Sequence, residues 1–239
     1  MISPSGMPGR DCPRCPRLVA FRQAWRQSEP EWFNAPVDSF GPGDARLLIV
    51  GLAPGLRGAN RTGRPFTGDY AGNLLYATLA ELGFARGHYA ARADDGLELL
   101  DCRITNAVRC VPPDNKPTPQ EITTCRDYLK AAIAEMTNLR AVVALGRIAH
   151  ESFVQASGAR RSQFPFAHGR AHVLTHVLTH VLTPVLPPVL APLTLIDSYH
   201  CSRYNTNTGV LTPQMFHDVI AQARKLIDAQ PQGAFAAKL

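Results

Sequence analysis

Four cysteines in this sequence have a spacing typical of a metal centre. Cys12 and Cys15 form a C-x-x-C pair in the segment CPRC, and Cys110 and Cys125 follow with fourteen residues between them. A C-x-x-C pair with a distant second pair allows four thiolates to surround one centre. Zinc accepts a tetrahedral set of four thiolates, and so does a 4Fe–4S cluster. The spacing therefore predicts a metal centre without deciding between the two.

The other two cysteines, Cys102 and Cys201, have no partner at such a spacing. We expect both to pack as small apolar side chains, Cys102 inside a predicted strand. A disulfide framework is not expected, because the sequence shows no secretion signal. Simple burial explains the CPRC pair less well, because that pair lies in a segment with little core of its own.

A glycine-rich stretch, GLAPGLRGANRTGRPFTGDYAG, spans residues 51–72 and directly follows the apolar run RLLIV. It matches no phosphate-binding loop. Glycine allows a backbone to approach a ligand closely because no Cβ intervenes. The stretch carries Asp69, and His200 follows the last predicted strand in SYHCSRYN. A carboxylate and an imidazole are side chains that transfer protons and stabilise charge in enzymes.

The elements that must position these residues alternate between strands and helices. Apolar runs predict strands in ARLLIVGLAP, DCRITNAVRC, RAVVALG and LTLIDSYH. Helices are predicted in RLVAFRQAWRQ, GNLLYATLAELG, residues 118–138, RIAHESFVQAS and TPQMFHDVIAQARKLID. Thr118 and Glu121 form a T-x-x-E capping box, and Thr212 caps the last helix. This order predicts a mostly parallel sheet with helices on both faces and a ligand at the carboxyl ends of its strands.

Length and composition favour a single domain. The chain has 239 residues, 45% hydrophobic and 18% charged, which suffices for one α/β domain and not for two large ones. Residues 1–44 are predicted to form an N-terminal arm. Residues 171–192, built on the unit HVLT, are interpreted as a low-complexity surface connection between two strands. On this interpretation His172, His176 and His180 do not bind a metal ion.

The charge of the chain suits a polyanionic partner. The formal net charge is +6 and the sequence pI is about 9.2, a modest basic excess of the kind found in nucleic-acid-binding proteins. Arginine dominates the basic residues, which favours bidentate phosphate contacts. No apolar stretch reaches the length of a transmembrane helix, and the N-terminus lacks the pattern of a signal peptide. We therefore expect a soluble, cytoplasmic protein.

Several stretches resemble, in chain order, the uracil-DNA glycosylase superfamily and its family 5 branch. They are GLAPG after a strand, NRTGRPFTGD, TNAVRCVPPDNKPTP, the four cysteines and SYHCSRYNTNTG. The resemblance implies a three-layer α/β/α fold, in one domain, with a central four-stranded, mainly parallel sheet. It also implies a structural 4Fe–4S cluster, rather than zinc, on Cys12, Cys15, Cys110 and Cys125.

The resemblance implies a function as well. Family 5 members are monofunctional DNA glycosylases that hydrolyse the N-glycosidic bond of uracil and of other deaminated bases such as hypoxanthine. The expected partner is DNA that contains these bases, and the expected state is a monomer associated with the bacterial nucleoid. No lysine occupies a motif position suited to Schiff-base chemistry, so no lyase activity is expected.

Three catalytic residues follow from the same resemblance. In family 5 the carboxylate comes from TGD, here Asp69, which can also cap a helix that begins near Ala71. His200 matches a histidine that donates a hydrogen bond to the base O2 as negative charge develops there. Asn115, in PPDNKP, matches a third residue implicated in activity.

The substrate-binding residues are assigned in the same way. Gly51, Ala53 and Gly55 of GLAPG form walls of a pocket for an extruded base, and Phe66 stacks on that base. Asn106, in TNAVRC, departs from family 5 towards related iron–sulfur glycosylases, in which this asparagine reads the Watson–Crick edge of uracil.

The stretch CSRYNTNTG after the histidine resembles the loop that enters the DNA minor groove. Arg203 and Tyr204 suit phosphate contact and wedging, and Asn205 matches a position near the active site.

Two alternative functions are left open by the sequence. One is a uracil-DNA binding protein that traps its abasic product through a histidine in a basic loop after the first motif. The corresponding stretch here, GANRTGRPFTGDY, contains arginines but no histidine, which argues against trapping. The other is a zinc-stabilised DNA-binding module without catalysis.

Overall fold

The fold is described here from a computed structural model, for residues 6–174 and 192–229. In this part of the chain five strands form the main sheet: β1 (Leu47–Gly51), β4 (Cys102–Asn106), β5 (Ala141–Leu145), β6 (Ala171–Leu174) and β7 (Leu193–Ser198). Two shorter strands, β2 (Ala85–Arg86) and β3 (Glu98–Leu99), form a separate antiparallel hairpin. The order in the main sheet is β4-β1-β5-β7-β6.

The four predicted strands β1, β4, β5 and β7 are parallel to one another, and every residue in them is buried. The sheet has a fifth strand, however, which the sequence does not predict. β6 pairs antiparallel with β7 and occupies the first residues of the HVLT segment. Its residues alternate between exposed and buried, as expected for a strand at the edge of a sheet.

Helices in the described residues are α1 (Pro16–Ser28), α2 (Ala59–Thr62), α3 (Tyr70–Glu81), α4 (Pro119–Ala134), α5 (Arg147–Ala156), α6 (Arg203–Asn207) and α7 (Pro213–Asp228). The capping box of Thr118 and Glu121 is confirmed at the start of α4. Thr212 accepts a hydrogen bond from the Met215 N–H and caps α7. None of the described helices is long and apolar enough to cross a membrane.

The helices cover both faces of the sheet because side chains alternate along each strand. On one face Leu47 and Ile49 pack in a core with residues of α3 and α7. On the other face Leu48 and Val50 pack in a second core with residues of α4 and α5. The three-layer α/β/α architecture is thereby confirmed.

Because β1, β4, β5 and β7 are parallel, their carboxyl ends meet at one edge of the sheet. β1 leads into the glycine-rich stretch, β4 ends at Asn106, β5 leads into Gly146, and β7 leads to His200. The candidate site residues Asp69, Asn106 and His200 are therefore brought to the same edge of the sheet, although they are far apart in sequence.

Candidate active site

A cavity of about 570 Å³ opens at this edge of the sheet. Its volume falls in the range of roughly 300–1,000 Å³ typical of small-molecule sites. Eight of the ten predicted catalytic and substrate-binding residues line it: Ala53, Gly55, Phe66, Asp69, Asn106, Asn115, His200 and Arg203. The other two do not line it, but Gly51 pairs with Asn106 in the sheet and Asn205 forms a hydrogen bond with His200.

Asp69 is the N-cap of α3, which begins at Tyr70, one residue earlier than expected. Its Oδ1 accepts a hydrogen bond from the Gly72 N–H at 3.3 Å. Its Oδ2 approaches the backbone of the glycine-rich stretch so closely that a Cβ at Gly58 would collide with it, and one at Gly55 would lie 3.0 Å away. Burial raises the pKa of Asp69, and backbone hydrogen bonds only partly oppose this. The Asp69 side chain thus both caps α3 and presents a carboxylate to the cavity.

His200 follows β7 and also lines the cavity. Its ring stacks on that of Phe66, with ring centroids 5.9 Å apart and planes inclined by 28°. Burial lowers the pKa of His200 to about 4, so the imidazole is neutral at physiological pH and retains one N–H donor. The Asn205 side chain donates a hydrogen bond to the His200 carbonyl at 2.8 Å. Asn205 therefore holds the backbone of the histidine and does not line the cavity.

Phe66 and Asn106 form the inner wall. Phe66, at 7% exposure, packs in the core with residues of α3 and also lines the cavity. Asn106 is 2% exposed, and its Oδ1 has no hydrogen-bond partner among the described residues. A buried amide oxygen without a partner is unfavourable unless a ligand supplies one. A Cβ at Gly51 would collide with that oxygen and lie 2.6 Å from the Phe66 ring, so only glycine fits there.

The mouth of the cavity carries polar and aromatic groups. Asn115 is exposed and adopts a left-handed backbone conformation with φ 57°. The Arg203 guanidinium lies over the Tyr70 ring at 5.2 Å, and Tyr204 beside it is 74% exposed. Tyr70 also lines the cavity and was not predicted. Its position directly after Asp69, in the first turn of a helix, was the signal available in the sequence.

The four predicted metal ligands lie together at a different place. Cys12, Cys15, Cys110 and Cys125 line one small cavity between the N-terminal segment and α4. Within the described residues, no three of their sulfurs lie within 4.8 Å of one another. Burial raises the pKa of Cys110 to about 12 and that of Cys125 to about 11.

Two buried arginines surround these sulfurs. Arg22 Nη1 donates a hydrogen bond to Cys110 Sγ at 3.4 Å, and the backbone N–H of Arg109 donates one to Cys125 Sγ at 3.3 Å. Arg22 and Arg109 are 2% and 1% exposed, and in the part of the chain described neither forms an ion pair with a carboxylate. Buried cations without a counter-charge are unfavourable, so this site suits a group of negative charge.

A second group of side chains of metal-binding types was not predicted from the sequence: His150 of α5, His172 of β6 and Asp197 of β7. Asp197 Oδ1 contacts His150 Nδ1 at 2.6 Å, and Asp197 Oδ2 contacts His172 Nε2 at 3.0 Å. The other nitrogen of His150 donates to the Phe164 carbonyl at 2.7 Å. Hydrogen bonds account for these short contacts without a metal ion. Two other histidines of the HVLT repeat, at positions 176 and 180, lie outside the described residues.

A sequence model of the Uracil DNA glycosylase superfamily matches residues 38–224 of the chain. The chain belongs to the uracil-DNA glycosylase superfamily. The matched range includes all ten predicted catalytic and substrate-binding residues. It begins after the CPRC segment, so the first cysteine pair lies outside it.

Curated relatives place this uracil-DNA glycosylase beside the type-5 members. The chain is 43% identical over 222 residues to the "Type-5 uracil-DNA glycosylase" of Thermus thermophilus, covering 90% of this chain and 93% of the relative. It is 39% identical over 224 residues to that of Mycobacterium bovis, covering 90% and 78%. It is 36% identical over 217 residues to that of Pyrobaculum aerophilum, covering 89% and 88%. The resemblance to family 5 is confirmed.

Proposed function

We propose that this chain is a monofunctional DNA glycosylase that hydrolyses the N-glycosidic bond of uracil in DNA and so initiates base excision repair. One observation carries the proposal: Asp69 and His200, which come from distant loops, line the same cavity. A carboxylate and a neutral imidazole donor in one cavity are the groups that this reaction requires.

In this proposal the target nucleotide rotates out of the duplex and its base enters the cavity. The ring of Phe66 stacks on the base, a contact worth roughly 1–3 kcal/mol. The amide of Asn106 pairs with the Watson–Crick edge of uracil, which gives its buried oxygen the partner that it lacks. Arg203 contacts the phosphate backbone at the mouth of the cavity.

Bond cleavage then separates charge. The electron pair of the C1′–N1 bond moves onto uracil, and the neutral His200 N–H stabilises the developing charge on O2. The Asp69 carboxylate stabilises the cationic sugar and accepts a proton from the water whose oxygen bonds to C1′. The products are free uracil and an abasic site, and the proton passes to solvent or to the departing base. We assign Asn115, at the cavity mouth, a supporting role in positioning that water.

We also propose that Cys12, Cys15, Cys110 and Cys125 hold a 4Fe–4S cluster. Sulfurs on a single zinc ion would lie about 3.8 Å apart, whereas no three of these four come within 4.8 Å of one another. The wider spacing suits a larger, anionic cluster beside Arg22 and Arg109. Its role would be structural, joining the N-terminal segment to α4.

The substrate range is proposed to extend from uracil to other deaminated bases such as hypoxanthine. The test is a panel of oligonucleotides carrying uracil, hypoxanthine or xanthine, incubated with the full chain and followed by chromatography of the released base. A denaturing gel of the same reactions separates two outcomes. Alkali-labile abasic sites with free protein support turnover, whereas a persistent protein–DNA band would support trapping and overturn the proposal.

A further inference from the structure

The β2–β3 hairpin and its connecting residues pack against residues 64–69, here called the 64–69 loop, which carries Phe66 and Asp69. The principal contact is an ion pair between Arg64 and Asp95. Arg64 Nη1 and Nη2 each donate a hydrogen bond to one carboxylate oxygen of Asp95 at 2.8 Å. The two side chains are only 5% and 1% exposed. A buried, bidentate pair of this kind fixes both partners in orientation.

Three aromatic rings enclose the same guanidinium. The centre of the Arg64 guanidinium lies 5.1 Å from the Phe40 ring, 5.5 Å from that of Tyr76 and 5.8 Å from that of Tyr89. Arg64 Nε also donates to the Thr67 hydroxyl, inside the loop, at 2.8 Å. The Arg64 side chain thus links Asp95, in the hairpin connection, to Thr67, in the loop.

Two tyrosine hydroxyls hold the backbone of the loop. Tyr89, from the hairpin, donates to the Phe66 carbonyl at 3.2 Å and accepts from the Gly68 N–H at 3.4 Å. Tyr76, from α3, donates to the Pro65 carbonyl at 2.5 Å. These hydrogen bonds therefore restrain the backbone at Pro65 and Phe66, and at Gly68 directly before Asp69.

The conformation of the loop explains why such restraints are needed. Phe66 has a backbone φ of 52°, in the left-handed region that residues with a side chain rarely adopt. Gly72, in the first turn of α3, lies so close to the Phe66 carbonyl that a Cβ would collide with it. Strained backbone persists only where surrounding structure over-determines it.

We propose that Tyr89 and the Arg64–Asp95 pair are positioning residues, through which the hairpin holds the Phe66 ring and the Asp69 carboxylate in the geometry that bond cleavage requires. This inference rests on the proposed function. It assigns the hairpin, which does not line the cavity, an effect on the rate of cleavage and not on the affinity for DNA.

The test compares three variants of the full chain: Tyr89→Phe, Asp95→Asn and the control Glu98→Gln. Glu98 lies on the same hairpin but forms an exposed ion pair with Arg86. The measurements are the single-turnover rate constant for uracil release, the Kd for uracil-containing DNA and the Tm. Tyr89→Phe should lower the rate constant about tenfold and Asp95→Asn up to about a hundredfold, since small misplacements of catalytic groups have effects of that size. Glu98→Gln should match wild type, and Kd should change less than about twofold.

A double-mutant cycle separates positioning from general destabilisation. In an Asp69→Asn background, Tyr89→Phe should have a much smaller effect than in wild type, because the carboxylate that it positions is already lost. If the double variant instead lost activity by the product of the two single-variant factors, the positioning role would be wrong. A fully active Tyr89→Phe variant would also overturn this inference. Neither result would affect the proposed function. Tyr89→Phe removes one hydroxyl and keeps the ring, so it remains informative if Asp95→Asn fails to fold. A wild-type protein that releases no uracil would instead overturn the proposed function, and this inference with it.

Discussion

At the scale of single residues, burial moves the pKa values of Asp69 and His200 in opposite directions. The pKa of the carboxyl is raised and that of the imidazole is lowered to about 4. Each shift favours the neutral form, because burial removes a charged group from the solvent that stabilises it. The arrangement leaves His200 as a neutral donor across the physiological range and makes Asp69 the group whose ionisation is sensitive to acid.

The pH dependence of uracil release follows from these directions. The rate should rise with pH as Asp69 ionises, with an apparent pKa above the ordinary value of an aspartate, and then level off. No inflection is expected near 6.5, the ordinary pKa of histidine. Single-turnover rates measured from pH 4 to 9 check this. An inflection between pH 6 and 7 that disappears in His200→Gln would contradict the neutral-donor role.

Replacement of Asn106 tests the reading of the base. Asn106→Ala removes an amide whose buried oxygen has no partner in the described part of the protein. Uracil release should fall about tenfold or more, because a buried polar contact to the substrate is lost, whereas hypoxanthine release should change less than about threefold. The ratio of the two single-turnover rates is the measurement, with Asn138→Ala as control, because Asn138 is exposed and does not line the cavity. Equal losses for both bases would count against base reading.

At the scale of elements, β1 can pack closely against Asn106 and Phe66 because its last residue, Gly51, has no side chain. Gly51→Ala would place a Cβ against the Asn106 oxygen and the Phe66 ring. We expect uracil release to fall about a hundredfold, in keeping with displacement of groups that hold the substrate. Gly9→Ala is the matched control, since its Cβ would meet nothing within 4 Å. Equal rates for the two variants would show that the packing around Gly51 does not shape the pocket.

The elements also show what the sequence can and cannot predict. The strands around Leu47 and Val142 and the caps at Thr118 and Thr212 depend on local patterns, so they were predicted correctly. β6 was missed because its four residues begin a repeat whose period fits no strand. The contacts of Arg64 with Asp95 depend on tertiary packing across a hairpin, for which the sequence offers no local signal.

The site residues divide in the same way. Asp69 opens a helix, Asn106 ends a strand and His200 follows one, all within motifs, so a motif resemblance could assign them. Tyr70 and the supporting role of Asn205 become visible only when the side chains are placed together. Asn205 was expected near the active site, and in the structure its side chain donates a hydrogen bond to the backbone carbonyl of His200.

At the scale of the whole molecule, the cysteine site joins the N-terminal segment to α4. Cys110→Ser should abolish the brown colour and visible absorption of anaerobically purified protein and lower its iron content. We expect the Tm to fall by about 10 °C, corresponding to roughly 3 kcal/mol for a chain of this size. Cys102→Ser is the control, because Cys102 is buried in β4 and does not line this cavity. It should retain full iron content. Zinc in place of iron in the wild-type protein would contradict the proposed cluster.

The most direct measurement of the central claim is free uracil released from a uracil-containing oligonucleotide under single-turnover conditions, quantified beside the binding of the same DNA. We predict one uracil per strand for wild type and a rate at least about a hundredfold lower for Asp69→Ala and for His200→Ala. Both variants should bind the DNA with affinity near that of wild type. Undiminished uracil release by both variants would contradict the account.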